Sequence, residues 1–410
     1  MSNDHQQGTK TTTLKRGLNL PLLTLYGLGV TIGAGIYVLV GATAARAGVH
    51  APISFLLAAF ATGFTGLSYA ELSTRMPVSA GEAAYVRAGF NSSTLALVVG
   101  LMVAASGVIS SAAVSIGAAS YLQHFISLPS WFSILLIVLV LGMTALWGII
   151  ESVSLAAIFT LVEISGLALV LYIGLTAHGD ILASSDKLIP PFEPGAWSGI
   201  LSASLLAFFA FVGFEDIANV AEEVKNPRHT MPWAIFLTLI ISTLIYIAVV
   251  AVVVLAVPMD KLTGSAAPLA LIFKNSGAGV TNTFNLIAVI ATLNGVLIQM
   301  IMASRILYGL ASQGELPRAL AIVHPKTRTP VNATVLVILI ILVLALLLPI
   351  TKLAEVTSTI VLMVFTLVNL ALIRLKLSGK PVAGDVFQIP TFLPFIGLLT
   401  CMALLLFGWI

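Results

Sequence analysis

A chain of 410 residues that is 59% hydrophobic and only 9% charged falls far below the roughly 25% charge of a soluble domain and is built for lipid. Its net charge of +3 rests on 19 Lys and Arg scattered through short connecting segments, which excludes the basic face of a nucleic-acid binder. A single cysteine, Cys401 in the last apolar run, excludes a disulfide framework or thiolate metal cluster within one chain and reads as a packed or lipid-facing thiol.

Residues 1–16 are polar, end in Lys15-Arg16, and form a cytoplasmic tail. No short apolar run with a small-residue cleavage site follows, so the first apolar segment is expected to be retained as a membrane helix. Runs long enough to cross about 30 Å of hydrocarbon at 1.5 Å per residue fall at 18–46, 52–74, 94–122, 130–149, 153–177, 198–222, 231–257, 282–311, 331–348, 353–375 and 391–409. The fold class expected is an all-α polytopic membrane protein with 11 transmembrane helices. With the N-terminus inside, 14 Lys and Arg fall in cytoplasmic segments and 5 in outer ones, which puts the C-terminus outside.

The first apolar run is interrupted by Gly29-Val30-Thr31-Ile32-Gly33-Ala34-Gly35-Ile36-Tyr37. Each glycine weakens a helix interior by about 1 kcal/mol relative to alanine, so the helix is expected to stop and restart there. Broken helices within a membrane belong where freed N–H and C=O groups line a protein-enclosed cavity. Gly29 and Gly33 also have the small-xxx-small spacing of helix packing, which is compatible with binding. Farther along, residues 76–91 read as a short helix on the cytoplasmic surface. A second interruption lies in helix six, at Phe208-Phe209-Ala210-Phe211-Val212-Gly213-Phe214-Glu215-Asp216. The outer segment 258–280, with Ala266 through Phe273, reads as a lid over a vestibule.

Helices one and six are separated by an odd number of crossings and so run in opposite directions. Two inverted five-helix repeats follow, 17–178 and 197–377, with an additional helix at 391–410 outside them.

Ionisable groups at membrane depth are costly, by at least ~2.5 kcal/mol, and are therefore functional candidates. Of the carboxylates, Glu163, Glu215 and Asp216 fall well inside predicted spans, whereas Glu71, Glu222 and Glu223 lie near cytoplasmic helix ends within reach of water. Asp216 fits the N-cap of the second half of helix six, and Glu215 fits a functional carboxylate at the break. Glu163 sits about 15 Å into helix five, one turn after Thr160. It reads either as a proton-coupling group that exchanges a proton as the cavity wets or as a permanently neutral acid bonded to nearby backbone.

The first break presents the N–H groups of Gly33, Ala34, Gly35 and Ile36 at the positive end of a half-helix, a place for a carboxylate. The second presents carbonyls near Phe209 and Val212 together with Glu215, a place for an ammonium. The two halves together describe an α-amino acid. Among Phe208, Phe209, Phe211 and Phe214, Phe209 beside the break is the candidate gate. No Walker A or H-E-x-x-H sequence occurs and all six His lie in tails or loops, so neither ATP, a metal nor another cofactor is expected. The sequons at Asn91 and Asn332 fall on the cytoplasmic side and read as chance.

Gly33-Ala34-Gly35-Ile36-Tyr37 resembles the glycine break of the amino acid-polyamine-organocation superfamily. The run FFAFVGFEDIANVAEEVKNPRHTMP, Phe208 to Pro232, resembles that superfamily's helix six and following loop. Tyr69-Ala70-Glu71-Leu72, Pro77 through Gly81, Ser304 through Leu310 and Gly314 through Pro317 extend the match over nearly the whole chain. The resemblance implies a LeuT-like 5+5 inverted repeat with helices 1 and 6 broken. It implies substrate-carboxylate binding by the N–H groups of Ala34, Gly35 and Ile36, and amine binding by the carbonyls of Thr31, Phe209 and Val212. Phe209 matches the gating aromatic and Glu215 the helix-six acid.

Three departures stand out. Glu163 occupies the place of a lysine that in many relatives substitutes for sodium, Ser106 that of an acid in some cationic carriers, and the usual twelfth helix is absent. The function expected is secondary active transport of a neutral or small L-amino acid across the cytoplasmic membrane, by proton-coupled symport or exchange. The alternatives are a cationic amino acid or polyamine antiporter and, in another class, a membrane amino acid sensor; an enzyme lacks a nucleophile, base and metal set at shared depth.

Overall fold

The computed structural model describes residues 17–408 apart from 34, 79–80, 148–152, 178–180, 328, 380–383 and 385. The described residues form fifteen α-helices and several 3₁₀ turns without a β-strand. Helix α1 (Leu20–Ile32) starts where Asn19 accepts the Leu22 N–H on its side chain at 3.1 Å and a proline occupies the first turn. It ends at Gly33, and α2 (Gly35–Ala47) resumes almost at once. After α3 (Ala51–Arg75), α4 (Gly81–Phe90) leads into α5 (Ser93–Leu122), whose N-cap Ser92 accepts the Leu95 N–H at 3.2 Å. Then come α6 (Ser130–Trp147), α7 (Val153–Ala177) and α8 (Pro194–Phe209), which gives way to turns and the four-residue α9 (Asp216–Asn219).

Helix α10 (Pro227–Ala256) follows, then α11 (Met259–Thr263), α12 (Ala278–Ser312), α13 (Val331–Leu347), α14 (Ile350–Leu377) and α15 (Phe392–Phe407). Among the described residues, seven helical stretches are long and apolar enough to cross a membrane, Gly35–Arg75 counting as one, and four further apolar helices are shorter. The chain is a polytopic membrane protein.

Packing divides into two apolar clusters. One surrounds Tyr37, Tyr69, Phe214, Tyr246 and Phe365, and the other fills the space between α5, α6, α12 and α13, with Phe209 and Leu39 among its members. The two breaks lie where these clusters adjoin. The strand-like bridge between Leu18 and Val224 ties the chain before α1 to the chain after α9, with the Lys225 N–H donating to Leu18 O at 2.8 Å.

Three local expectations are refined. The surface helix is α4, but Glu82, Tyr85 and Val86 are buried, so one face is core. The outer segment forms α11 and a 3₁₀ helix, Pro268–Phe273, packed over α2, with Phe273 stacked on Phe284 at 4.3 Å between ring centroids. Cys401 is packed rather than lipid-facing, its sulfur 3.4 Å from Thr65 Oγ1.

Candidate functional site

The two interruptions meet each other. A Cβ on Gly35 would stand 2.9 Å from Ala210 N, and one on Gly213 would stand 2.9 Å from Val30 O, so backbone touches backbone where only glycine leaves room. Gly213 adds a second reason, a φ of +120° that side-chain-bearing residues rarely adopt. The last turn of α1, the first of α2 and the turns after α8 therefore cross at one level.

A residue that sequence reasoning missed joins them. The Tyr246 hydroxyl of α10 lies 2.7 Å from Thr31 O and 2.8 Å from Ala210 O, placing one proton between the two breaks. Tyr37, just past the first break, donates to the Glu163 carbonyl at 2.6 Å and receives the Tyr121 hydroxyl on its own carbonyl at 2.6 Å. The signal for Tyr246 was present: it is the one polar side chain between Leu244 and Ala256 of α10.

The second break is a ladder of 3₁₀ turns. Ala210, Phe211 and Val212 donate to Ala207, Phe208 and Phe209 carbonyls, and Asp216, Ile217 and Ala218 donate to Gly213, Phe214 and Glu215 carbonyls. Those bonds take the N–H groups that a cap would accept, so Asp216 is not the N-cap. It is the first helical residue of α9, the cap position falls on Glu215, and neither side chain caps. Asp216 instead accepts from Asn219 Nδ2 at 3.3 Å, and its other oxygen is buried without a hydrogen-bond partner among the described residues. Glu215 reaches back across the break and accepts the Gly213 N–H at 2.9 Å.

The candidate residues fall as follows. Thr31, Gly35, Ile36, Phe209, Val212 and Glu215 are all buried around the crossing, and Ala34 lies outside the described residues. The Thr31 carbonyl takes the Tyr246 hydroxyl and the Phe209 carbonyl takes the Val212 N–H at 3.2 Å; each carbonyl has a second lone pair for another donor. Glu163 is also fully buried, on α7, with its backbone carbonyl bonded by the Tyr37 hydroxyl from just past the first break. Asn294 Nδ2 of α12 donates to its Oε1 at 3.1 Å, and Oε2 has no partner among the described residues. Thr160 fixes α7 to α1 by donating to Leu25 O at 3.0 Å.

Backbone acceptors, a carboxylate pair and buried apolar side chains meet at this crossing.

The amino acid permease family matches residues 18–410. The branched-chain amino acid permease BcaP of Bacillus subtilis (strain 168) is 31% identical over 423 residues, covering 97% of this chain and 89% of that one. The methylthioribose transporter of the same bacterium is 29% identical over 415 residues, covering 96% and 87%. The cationic amino acid transporter 4 of Homo sapiens is 31% identical over 394 residues, covering 90% of this chain and 61% of its own. Both the broken-helix motifs and the match across nearly the full length lead to one conclusion: the chain belongs to the amino acid permease family, within the amino acid-polyamine-organocation superfamily.

Proposed function

We propose that the protein is a secondary active transporter of a neutral L-amino acid, working by alternating access and driven by protons or by exchange. It binds and carries its substrate without transforming it. The chain crosses the bilayer eleven times in a LeuT-like arrangement, with repeats at 17–178 and 197–377, the 391–410 helix outside them, the N-terminus cytoplasmic and the C-terminus extracytoplasmic. The packing of α3 along α10, the second helices of the two repeats, supports that arrangement.

The observation that carries the reading is the direct backbone contact of the two breaks at Gly35–Ala210 and Gly213–Val30, with Glu215 at the same level. The N–H groups of Ala34, Gly35 and Ile36 receive the substrate carboxylate. The carbonyls of Thr31, Phe209 and Val212, with Glu215, receive the ammonium, and Phe209 gates the pocket. Glu163 and Glu215 are the proton-coupling groups. Names among the relatives favour a branched-chain substrate, which fits a site walled by Phe209 and Val212. A cationic substrate is the second reading, supported by the cationic amino acid transporters among the relatives and by the Glu215–Asp216 pair.

The test is uptake of labelled leucine into proteoliposomes. Unlabelled substrate in the lumen or an inward proton gradient stimulates accumulation; if neither does so for any of the twenty amino acids or common polyamines, the proposal falls. Glu163→Gln leaves substrate affinity within about threefold while flattening the pH dependence of uptake. A pH profile identical to wild type assigns Glu163 to structure.

A further inference from the structure

Helices α3 and α10 lie along one another, and their outer flanks enclose a groove of about 890 Å³. Its floor is small: Ala59 and Gly63 of α3, with no atom within 4 Å of where a Gly63 Cβ would stand. Its walls are the half-exposed rings of Phe60, Trp233 and Phe236. One end differs in kind. Arg228 and His229, both exposed, line it from the first turn of α10.

The same turn carries a second feature that attracts negative charge. Asn226, before the helix, has a φ of +50° and provides no side-chain cap; Pro227 has no N–H and the His229 and Thr230 N–H groups already donate to the Asn226 carbonyl at 3.0 Å, so this end of the 30-residue helix offers the positive end of its dipole and the Arg228 N–H. Among the described residues no carboxylate forms an ion pair with Arg228. The groove runs along α10 from Arg228 to Leu244, sixteen residues and about 24 Å, which is one leaflet of hydrocarbon, roughly 15 Å, plus a headgroup.

We propose that this groove holds an anionic phospholipid of the surrounding bilayer. Its phosphate lies on the Arg228 and His229 side chains at the positive end of α10, and an acyl chain lies over Gly63 between the aromatic walls. The proposal is independent of which amino acid is carried. Lipid tails are as apolar as the groove itself, so burial of the chain gives no hydrophobic preference over other lipids. Selectivity resides in the headgroup, where each cation near the surface favours an anionic lipid by roughly fivefold.

The test is native mass spectrometry of the full chain released from equimolar phosphatidylglycerol and phosphatidylcholine. Wild type retains phosphatidylglycerol over phosphatidylcholine by about fivefold or more. Arg228→Gln brings the ratio close to one. Gly63→Leu grows into open space, so the thermal midpoint stays put while the retained lipid drops about tenfold. Equal retention of the two lipids by wild type, an unchanged ratio in Arg228→Gln, or full retention in Gly63→Leu at an unchanged midpoint each overturns it. Should Gly63→Leu lower the midpoint, the ratio in Arg228→Gln, a surface substitution, decides alone.

Discussion

Two regions of this molecule bury carboxylates completely, and they treat them in opposite ways. At the end of the bundle where α3 stops, Glu71 is surrounded: Arg75 Nε donates to it at 2.9 Å, Lys376 Nζ lies 2.8 Å away, and the Ile389 N–H donates at 2.9 Å. Lys376 also donates to the Ile389 carbonyl at 2.6 Å, so α3, α14 and the segment before α15 are closed into one knot. Glu71 was expected within reach of water and is instead wholly enclosed. At the crossing of the two breaks, Glu215 and Asp216, and on α7 Glu163, have no cation bonded to them among the described residues, and two of the three keep an oxygen without a partner. A charge pair in low dielectric holds one geometry firmly. The proposed transport needs the opposite, a site with spare acceptors that can take a ligand and rearrange, so on that reading the knot belongs to the scaffold and the crossing to the moving part.

The largest test of that contrast is Glu71→Ala. It leaves Lys376 and Arg75 buried beside each other, and removing one partner of such a pair costs about 3–5 kcal/mol. Thermal unfolding in detergent is expected to show a large fall in midpoint, with residual uptake scaling with the folded fraction. A loss below 1 kcal/mol makes the knot no firmer than the crossing.

Glu82 lies between the two cases, on α4 outside the spanning segments. Burial pushes its carboxyl from 4.5 up to about 7, partly countered by hydrogen bonds from its own backbone and from the Tyr69 hydroxyl at 3.2 Å. A carboxyl whose folded value is raised holds its proton in the folded state while the unfolded chain has lost it. Stability therefore falls as pH rises from 4.5 to about 7 and stays low above that, by an amount on the order of 3 kcal/mol. Glu82→Gln, neutral throughout, is expected to abolish this slope, measured as midpoint against pH. A wild-type midpoint flat across the window puts Glu82 with the satisfied carboxylates.

Much of this was legible in the chain. The helices follow apolar runs because lipid demands them, and glycines stand at the crossing, Gly35 and Gly213, because a close backbone approach leaves no room for a Cβ. What was not legible is pairing across distance. Lys376 lies more than three hundred residues from Glu71, and no local pattern says that the two meet. Asp216 was misread for a different reason: cap rules assume an α-helical restart, and this one begins with 3₁₀ turns whose carbonyls take the N–H groups. Tyr246 was passed over because a tyrosine within an aliphatic helix looks like core, and its role depends on two carbonyls brought together from other helices.

Tyr246 provides the finest test, because it is the crossing's own closure. Its hydroxyl has one proton for two acceptors, Thr31 O and Ala210 O, and the ring packs against Phe211 at 5.1 Å and Phe55 at 6.0 Å between centroids. Tyr246→Phe preserves both ring contacts and removes only the shared bond, a loss of about 1 kcal/mol, or roughly fivefold in an equilibrium constant. If the hydroxyl holds the breaks together only in the closed state, the variant loses about that much stability without substrate. It then recovers part of the difference when leucine is bound, because a substrate ammonium supplies a donor to the Thr31 carbonyl, one of the two. Thermal midpoints with and without leucine measure both quantities. A substitution as damaging as Glu71→Ala, and equally so with and without substrate, makes Tyr246 a second structural knot and erases the contrast between the two regions.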